Sequence, residues 1–205
     1  MRDHAVLIAI AAAAGVTWLV AGCSTSPPDG EPLRELTYET ISEAQTAARE
    51  NGWESQSVLL ADGIVTSADY DQAISNTRVC AEHRANGITE PRLSPIDNLT
   101  REFGFPVGAM AEEAVWAASD ECLQQHLWTV EAAYISTHEA VMDDDIRVAS
   151  LQCMAERGFV MTGDIRSARD MAVRIPHESE PELTDCITQA ALRLRPDLDS
   201  IGVSW

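Results

Sequence analysis

The sequence predicts a mostly helical domain with a few short strands, held together by two disulfide bonds. In several segments apolar residues recur at steps of three and four, the spacing that places them on one face of a helix. Acidic or hydroxyl residues precede these segments and glycines end three of them, as expected at helix ends. Beyond the N-terminal region the cysteines are even in number, which indicates two disulfides in an exported protein. They are Cys80, Cys122, Cys153 and Cys186.

The first residues of the chain predict export. The sixteen residues from Ala5 to Val20 carry no charge. As a helix they would span about 24 Å, less than the roughly 30 Å hydrocarbon core of a bilayer. A charged start, a short apolar run and small residues before Cys23 are typical of a secretory signal peptide, here residues 1–22.

The four residues from Val20 to Cys23 read Val-Ala-Gly-Cys and resemble the lipobox of bacterial lipoproteins. The resemblance implies that the signal peptide is removed before Cys23 and that the Cys23 thiol is lipidated, which holds the protein on the outer side of the cytoplasmic membrane. An uncleaved membrane anchor and a plain signal peptide cut elsewhere are the alternatives. Residues 23–36 are rich in serine and proline and predict a flexible tether, so that residues 37–205 form the domain.

The charge of the chain limits its partners. The formal net charge is −19, from 14 basic and 33 acidic residues, and every basic residue is arginine. This excess disfavours nucleic acid as a partner, because phosphates need basic residues to neutralise them. It also disfavours a domain that lies on anionic lipid, and is typical of a solvated surface.

The first part of the domain predicts helices over residues 39–52, 65–88 and 119–140. In the second of these, Thr66 and Asp69 have the spacing of a capping box. One face of that helix then follows at helical spacing: Tyr70, Ala73, Ile74, Thr77, Cys80 and Ala81. The segment between Ile88 and Met110 is rich in turn residues and predicts a long surface loop.

The second part of the domain predicts two more helices. One begins with Asp143, Asp144 and Asp145 in its first turn, where the helix dipole favours negative charge. It ends at Gly158, and residues 159–161 follow as a short β-like run. The other predicted helix covers residues 181–195 and carries Cys186 on its apolar face.

The two parts share a layout, which predicts a weak internal duplication with halves 37–138 and 139–205. In each half an acidic start leads into an amphipathic helix with a late cysteine, and a partner helix carries the second cysteine early in its length. An antiparallel helix pair would bring those cysteines together, which favours Cys80 with Cys122 and Cys153 with Cys186. The two other pairings stay open.

Three segments of the domain resemble a set of uncharacterised exported lipoproteins of actinobacteria. They are residues 65–88, 120–134 and 151–159, and the matching positions are Tyr70, Cys80, Gly87, Cys122, Tyr134, Cys153 and Gly158. The resemblance covers about half of the chain after Cys23. It implies an exported, lipid-anchored, disulfide-bonded domain and carries no activity with it.

The sequence contains no motif that predicts catalysis. It has no Gly-x-Ser-x-Gly elbow, and the four cysteines of the domain are better explained as disulfides than as nucleophiles. His138 with Asp143, Asp144 and Asp145 is a weak candidate for a metal site, since the spacing fits neither a His-Glu-x-x-His motif nor an EF-hand. No cofactor is predicted. The tryptophans, among them Trp116 and Trp205, fit core packing or stacking on sugars.

These observations together predict a lipid-anchored envelope lipoprotein that lies outside the cytoplasm and acts by binding, not by catalysis. Its partner would be another envelope protein or a small ligand. A cell-wall or small-ester hydrolase with a scattered site is one alternative, and a module that binds divalent cations is another.

Overall fold

A computed structural model of the chain describes residues 40–198 and 201–203. The predicted signal peptide, the Cys23 anchor, the tether and Trp205 lie outside these residues. The described part contains eight α-helices, one short 3₁₀ helix and a two-stranded antiparallel sheet. The prediction of a mostly helical domain with a few short strands is therefore confirmed.

The helices are α1 (Ile41–Glu50), α2 (Glu54–Leu59), α3 (Ser67–Arg84), α4 (Glu112–His126), α5 (Trp128–Thr137), α6 (Asp144–Glu156), α7 (Ala168–Ala172) and α8 (Glu180–Leu194). The 3₁₀ helix His177–Ser179 leads directly into α8. The strands are β1 (Arg92–Leu93) and β2 (Arg101–Glu102), with Arg92 opposite Glu102.

Capping boxes start three of these helices. In the predicted one, at α3, the Thr66 side chain accepts a hydrogen bond from the Asp69 N–H while the Asp69 carboxylate accepts from the Thr66 N–H. This satisfies two backbone donors that the helix itself leaves free. Helices α1 and α7 begin in the same way. At α6, Asp143 is the residue before the helix, so that only Asp144 and Asp145 occupy the first turn.

Both predicted disulfides are confirmed. Cys80–Cys122 joins α3 to α4, and Cys153–Cys186 joins α6 to α8. They close loops with sequence separations of 42 and 33 residues, and loops of that size correspond to about 4 kcal/mol each in the chain-entropy model. Cys122 lies late in its helix instead of early, because α4 begins at Glu112, ahead of the predicted start.

The helix predicted over residues 119–140 is in fact two helices, α4 and α5, which meet at Leu127. A side chain from α2 stabilises the break. The fully buried Gln56 donates a hydrogen bond to the Gln124 carbonyl (2.6 Å), and its oxygen accepts from the Thr129 N–H (2.7 Å) and hydroxyl (2.8 Å). The Gln124 carbonyl and the Thr129 N–H, which lose their helical partners at the break, are thus hydrogen-bonded to the Gln56 side chain.

The structure also corrects the predicted β-like run at residues 159–161 and the predicted surface loop between Ile88 and Met110. Residues 159–161 form no strand, and both strands lie between residues 88 and 110 instead. The middle of that segment is not on the surface, since Ile96 and Leu99 are buried. We call residues 94–100 the junction segment.

The apolar residues form two cores. The first core is built by α1, α2, α3 and α5 with the residues between them, and the second by α6, α7, α8 and neighbouring residues. The junction segment contributes to both, with Leu99 in the first core and Ile96 in the second. Apart from Ile96 and the partly buried Ala140, the two cores divide the chain where the predicted halves meet. The internal duplication stays a prediction, since the helices of the two parts differ in number.

Candidate functional site

The junction segment is bonded to the start of α6. The Asp97 carboxylate accepts hydrogen bonds from the Leu99 N–H (2.9 Å) and from the N–H and hydroxyl of Thr100 (3.0 and 2.8 Å), which fixes the turn. Asn98 adopts a φ of 53° and donates through its side-chain amide to the Val141 carbonyl (2.8 Å) and the Asp143 carboxylate (3.0 Å). The segment therefore connects the two cores by polar contacts as well as by packing.

The candidate metal ligands each have a protein partner. The Arg195 guanidinium lies between Asp143 (2.6 Å) and Asp145 (2.8 Å), and it holds the pKa of the Asp145 carboxyl below its usual range. Asp144 pairs with Arg147 at 2.7 Å. The His138 Nδ1 atom lies 2.8 Å from the Tyr134 carbonyl. Among the described residues, no three histidine, cysteine or acidic side chains form a group that could hold a metal ion.

In the described residues, Ser55 and His126 form a serine–histidine contact of the kind that nucleophilic catalysis uses. The Ser55 hydroxyl lies 3.1 Å from the Gln125 carbonyl and 2.9 Å from the His126 Nδ1 atom. A serine hydroxyl carries one proton, so His126 Nδ1 donates to Ser55 when that proton bonds the Gln125 carbonyl, which the break at Leu127 leaves without a helical donor. Burial, aided by the positive charge of Arg84, lowers the pKa of His126 and favours the neutral ring. This contact therefore extends the polar support that Gln56 gives to the break.

A polar cluster around the buried Tyr70 and the half-buried Glu131 lies at the first core. The Tyr70 hydroxyl donates to the Glu131 carboxylate (2.5 Å) and accepts from the Arg101 N–H (3.1 Å). The Tyr70 ring stacks on Tyr134, with centroids 4.9 Å apart. Sequence analysis missed Glu131. The available signal was its place three residues before Tyr134, which puts both side chains on one face of α5.

Burial governs the titration of this cluster. Desolvation raises the pKa of the Glu131 carboxyl, the negative charge of Asp97 raises it further, and the hydrogen bond from Tyr70 opposes both effects. The pKa of Tyr70 is also raised, first by burial and then by the charge of Glu131. The first core thus holds a carboxyl group that resists ionisation.

An open cleft of about 400 Å³ lies where the N-terminal end of α6 meets the loop before α7. Buried or half-buried apolar residues, Val141, Met142 and Ile165, line it together with four charged ones. The charged residues are Asp144, Arg147, Asp164 and Arg166. We call it the α6 cleft.

The tryptophans divide between packing and exposure. Trp53 and Trp128 are half-buried and pack edge to face, with centroids 6.4 Å apart. Trp116 is 58% exposed and donates to Glu112 from its indole nitrogen (3.2 Å). Core packing therefore accounts for the first two, and Trp116 is available at the surface.

Comparison with known proteins found no match to a protein-family model, a curated protein or a solved structure. The resemblance to exported actinobacterial lipoproteins therefore stays a prediction. In the described residues, none of the helices has both the length and the apolar character to cross a membrane.

Proposed function

We propose that the chain is a lipid-anchored lipoprotein of a bacterial envelope, with its helical domain outside the cytoplasmic membrane and a function in binding. The observation that carries this proposal is the sequence Val20-Ala21-Gly22-Cys23 directly after an uncharged apolar run. Small residues suit a narrow peptidase site, and a thiol is the group that forms the thioether of a lipidated cysteine. Several acyl chains on one residue give stable anchoring where a single chain does not.

The disulfides support a location outside the cytoplasm. All four cysteines of the domain are paired, and each bridge joins two helices of one core region. Such bonds form and persist in oxidising compartments and are rare where cellular thiols keep cysteines reduced. Cys23 then remains as the one cysteine of the sequence outside these two bridges.

Two features of the described surface support binding as the mode of action. Trp116 is a large apolar side chain that is 58% exposed, and aromatic residues are enriched at interfaces between proteins. The α6 cleft offers a second surface, suited to a small ligand.

The anchor is tested by replacing Cys23 with serine in the native host. The wild-type chain should fractionate with membranes and begin at a lipidated Cys23 in intact-mass spectrometry. Cys23→Ser should abolish lipidation and release the domain from the membrane, or leave an unprocessed precursor. Ser24→Ala is the matched control, because it alters the next residue, keeps the thiol and should leave lipidation intact.

A wild-type chain that keeps residues 1–22 and lacks lipid would refute the anchor. If Cys23 is lipidated, the binding partner of the protein is sought by crosslinking in intact cells. The chain has no lysine, so a crosslinker that reacts with carboxylates must replace the usual amine-reactive reagents. A protein captured repeatedly by the wild type and lost with Trp116→Ala would identify Trp116 as part of the binding surface.

A further inference from the structure

The N-terminal half of α4 carries an exposed stripe of one tryptophan and three carboxylates. Glu112, Trp116 and Asp120 follow each other at steps of four residues, so they lie one above another on the helix, and all three are exposed. Glu113 is exposed beside them, three residues before Trp116. We call these four residues the α4 stripe. The buried residues of α4 lie on a different side of the helix: Val115, Ser119 and Cys122.

The indole of Trp116 is oriented by its neighbour and open to solvent. Trp116 is 58% exposed, and its indole N–H donates to the Glu112 carboxylate at 3.2 Å. This bond holds one edge of the ring against the preceding turn, the direction in which side chains on a helix lean. No aromatic ring in the described part of the chain stacks on Trp116. The exposed part of the indole is therefore available to a ligand.

Two carboxylates of the α4 stripe have no partner among the described residues. Glu113 and Asp120 accept no side-chain hydrogen bond there and form no ion pair, whereas Glu121, on the same helix, pairs with Arg84. Because side chains on a helix lean towards its N-terminal end, Asp120 leans over the turn that carries Trp116. Four residues of helix rise by about 6 Å. A cation on the indole therefore lies within reach of a carboxylate from a neighbouring turn.

The charge of the α4 stripe favours a cationic partner. None of its three carboxylates forms an ion pair within the described residues, and the chain as a whole has a net charge of −19. An anionic group would be repelled here, and a purely apolar one would remove water from the carboxylates without replacing it. A guanidinium suits both parts of the stripe, because it stacks on an indole face and its planar N–H donors match a carboxylate. A quaternary ammonium group has no N–H donor and would use the ring alone.

We propose that the α4 stripe docks an arginine side chain of a partner protein, with the guanidinium stacked on Trp116 and hydrogen-bonded to Asp120. A partner protein is the occupant because free small molecules bind in concave sites, whereas the exposed side of a helix is convex. Tryptophan and arginine are also the residues that most often dominate the binding energy of protein interfaces. This inference deepens the binding function proposed above and rests on it. The anchoring test with Cys23→Ser has a separate readout, so either result can fail alone.

The test follows the indole N–H signals of the isotope-labelled full chain in detergent by NMR, with Trp116→Phe to assign the Trp116 signal. The probe is an end-blocked peptide with two arginines, and its matched control carries citrulline, which has nearly the same shape without the charge. Salt at about 0.15 M limits long-range attraction, since the Debye length is then about 8 Å. The arginine peptide should shift the Trp116 signal in a saturable way. The citrulline peptide should bind about tenfold more weakly, because it loses the cation–π contact and the ion pairs.

Two double variants separate the α4 stripe from the general charge of the chain. Glu113→Gln with Asp120→Asn should weaken the arginine peptide about fivefold, because two exposed ion pairs are lost. Glu50→Gln with Glu178→Gln is the control, since it removes the same charge from two exposed positions outside α4.

Several results would overturn the proposal. One is an unchanged Trp116 signal at millimolar arginine peptide, with a protein whose melting temperature shows it to be folded. Another is an equal response to the citrulline peptide or to choline, since the guanidinium would then not be recognised. An equal loss with the two double variants would indicate a general effect of net charge. Self-association of the chain that Trp116→Ala abolishes, without a response to the peptide, would assign the stripe to a second copy instead.

Discussion

Replacing Glu131 with glutamine should make the stability of the domain less dependent on pH. The folded state raises the pKa of this carboxyl through burial, with a further contribution from Asp97. Below the pKa of the unfolded chain, near 4.5, the group is protonated in both states and its ionisation costs the fold nothing. Above that pH the unfolded chain ionises first, so the folded state loses stability until the pH reaches its own, higher pKa.

The size of the effect follows from linkage. Between the two pKa values a single group changes the free energy of unfolding by about 1.4 kcal/mol per pH unit. For a domain of this size that corresponds to roughly 3 to 6 °C in melting temperature per pH unit. Glutamine keeps the shape of the protonated acid and cannot ionise. The difference in melting temperature, Glu131→Gln minus wild type, should therefore rise with pH from pH 4.5 upward and then level off.

Thermal unfolding followed by far-ultraviolet circular dichroism from pH 4 to pH 8 measures this difference, with both disulfides intact. The contributions of the other titrating groups cancel in this difference, because the substitution leaves those groups unchanged. Tyr70→Phe is the companion variant. It removes a hydrogen bond that favours the ionised form of Glu131, so it should lower stability by about 1 to 3 kcal/mol and extend the loss of stability to higher pH. A difference between Glu131→Gln and wild type that stays flat over this range would refute the reasoning.

Two further predictions concern the connections between helices. Gln56→Leu should lower the free energy of unfolding, because it leaves the Gln124 carbonyl and the Thr129 N–H unpaired. Each unpaired group should cost about 1 to 3 kcal/mol, which urea unfolding measures. A total loss below about 1 kcal/mol would mean that water replaces the side chain. Removing the Cys80–Cys122 bridge with a double alanine variant should cost about 4 kcal/mol, or roughly 8 to 16 °C in melting temperature. An unchanged melting temperature would show that the unfolded chain gains no freedom without this bridge.

Features that depend on near neighbours could be predicted from the sequence. The capping box at Thr66 joins residues three apart, and the buried face of α3 follows from a spacing of three and four. The favoured disulfide pairing was also predicted, because each late cysteine has a partner on the next long helix of its own half. These properties need no knowledge of how distant parts of the chain pack.

The candidate site was less accessible to sequence analysis. The acidic run from Asp143 to Asp145 suggested a cation, and its carboxylates instead bind arginines, one of them Arg195 from beyond α8. The α6 cleft joins the start of α6 to residues 163–166, a loop with no motif to mark it. Arg147 and Arg166 line one cavity only because the fold brings these two segments together.

The sequence by itself determined that the charge of the chain is strongly negative, and it predicted a mainly helical domain, the starts of α1, α3, α6 and α8, and the favoured pairing of the cysteines. Only the tertiary structure decided that a helix breaks at Leu127, that Glu131 bonds Tyr70 beside the first core and that the junction segment joins two cores. The physical reason is distance along the chain: Gln56 acts on a break about seventy residues away, and Tyr70 meets Glu131 across 61 positions. Such contacts depend on packing, which local spacing does not reveal.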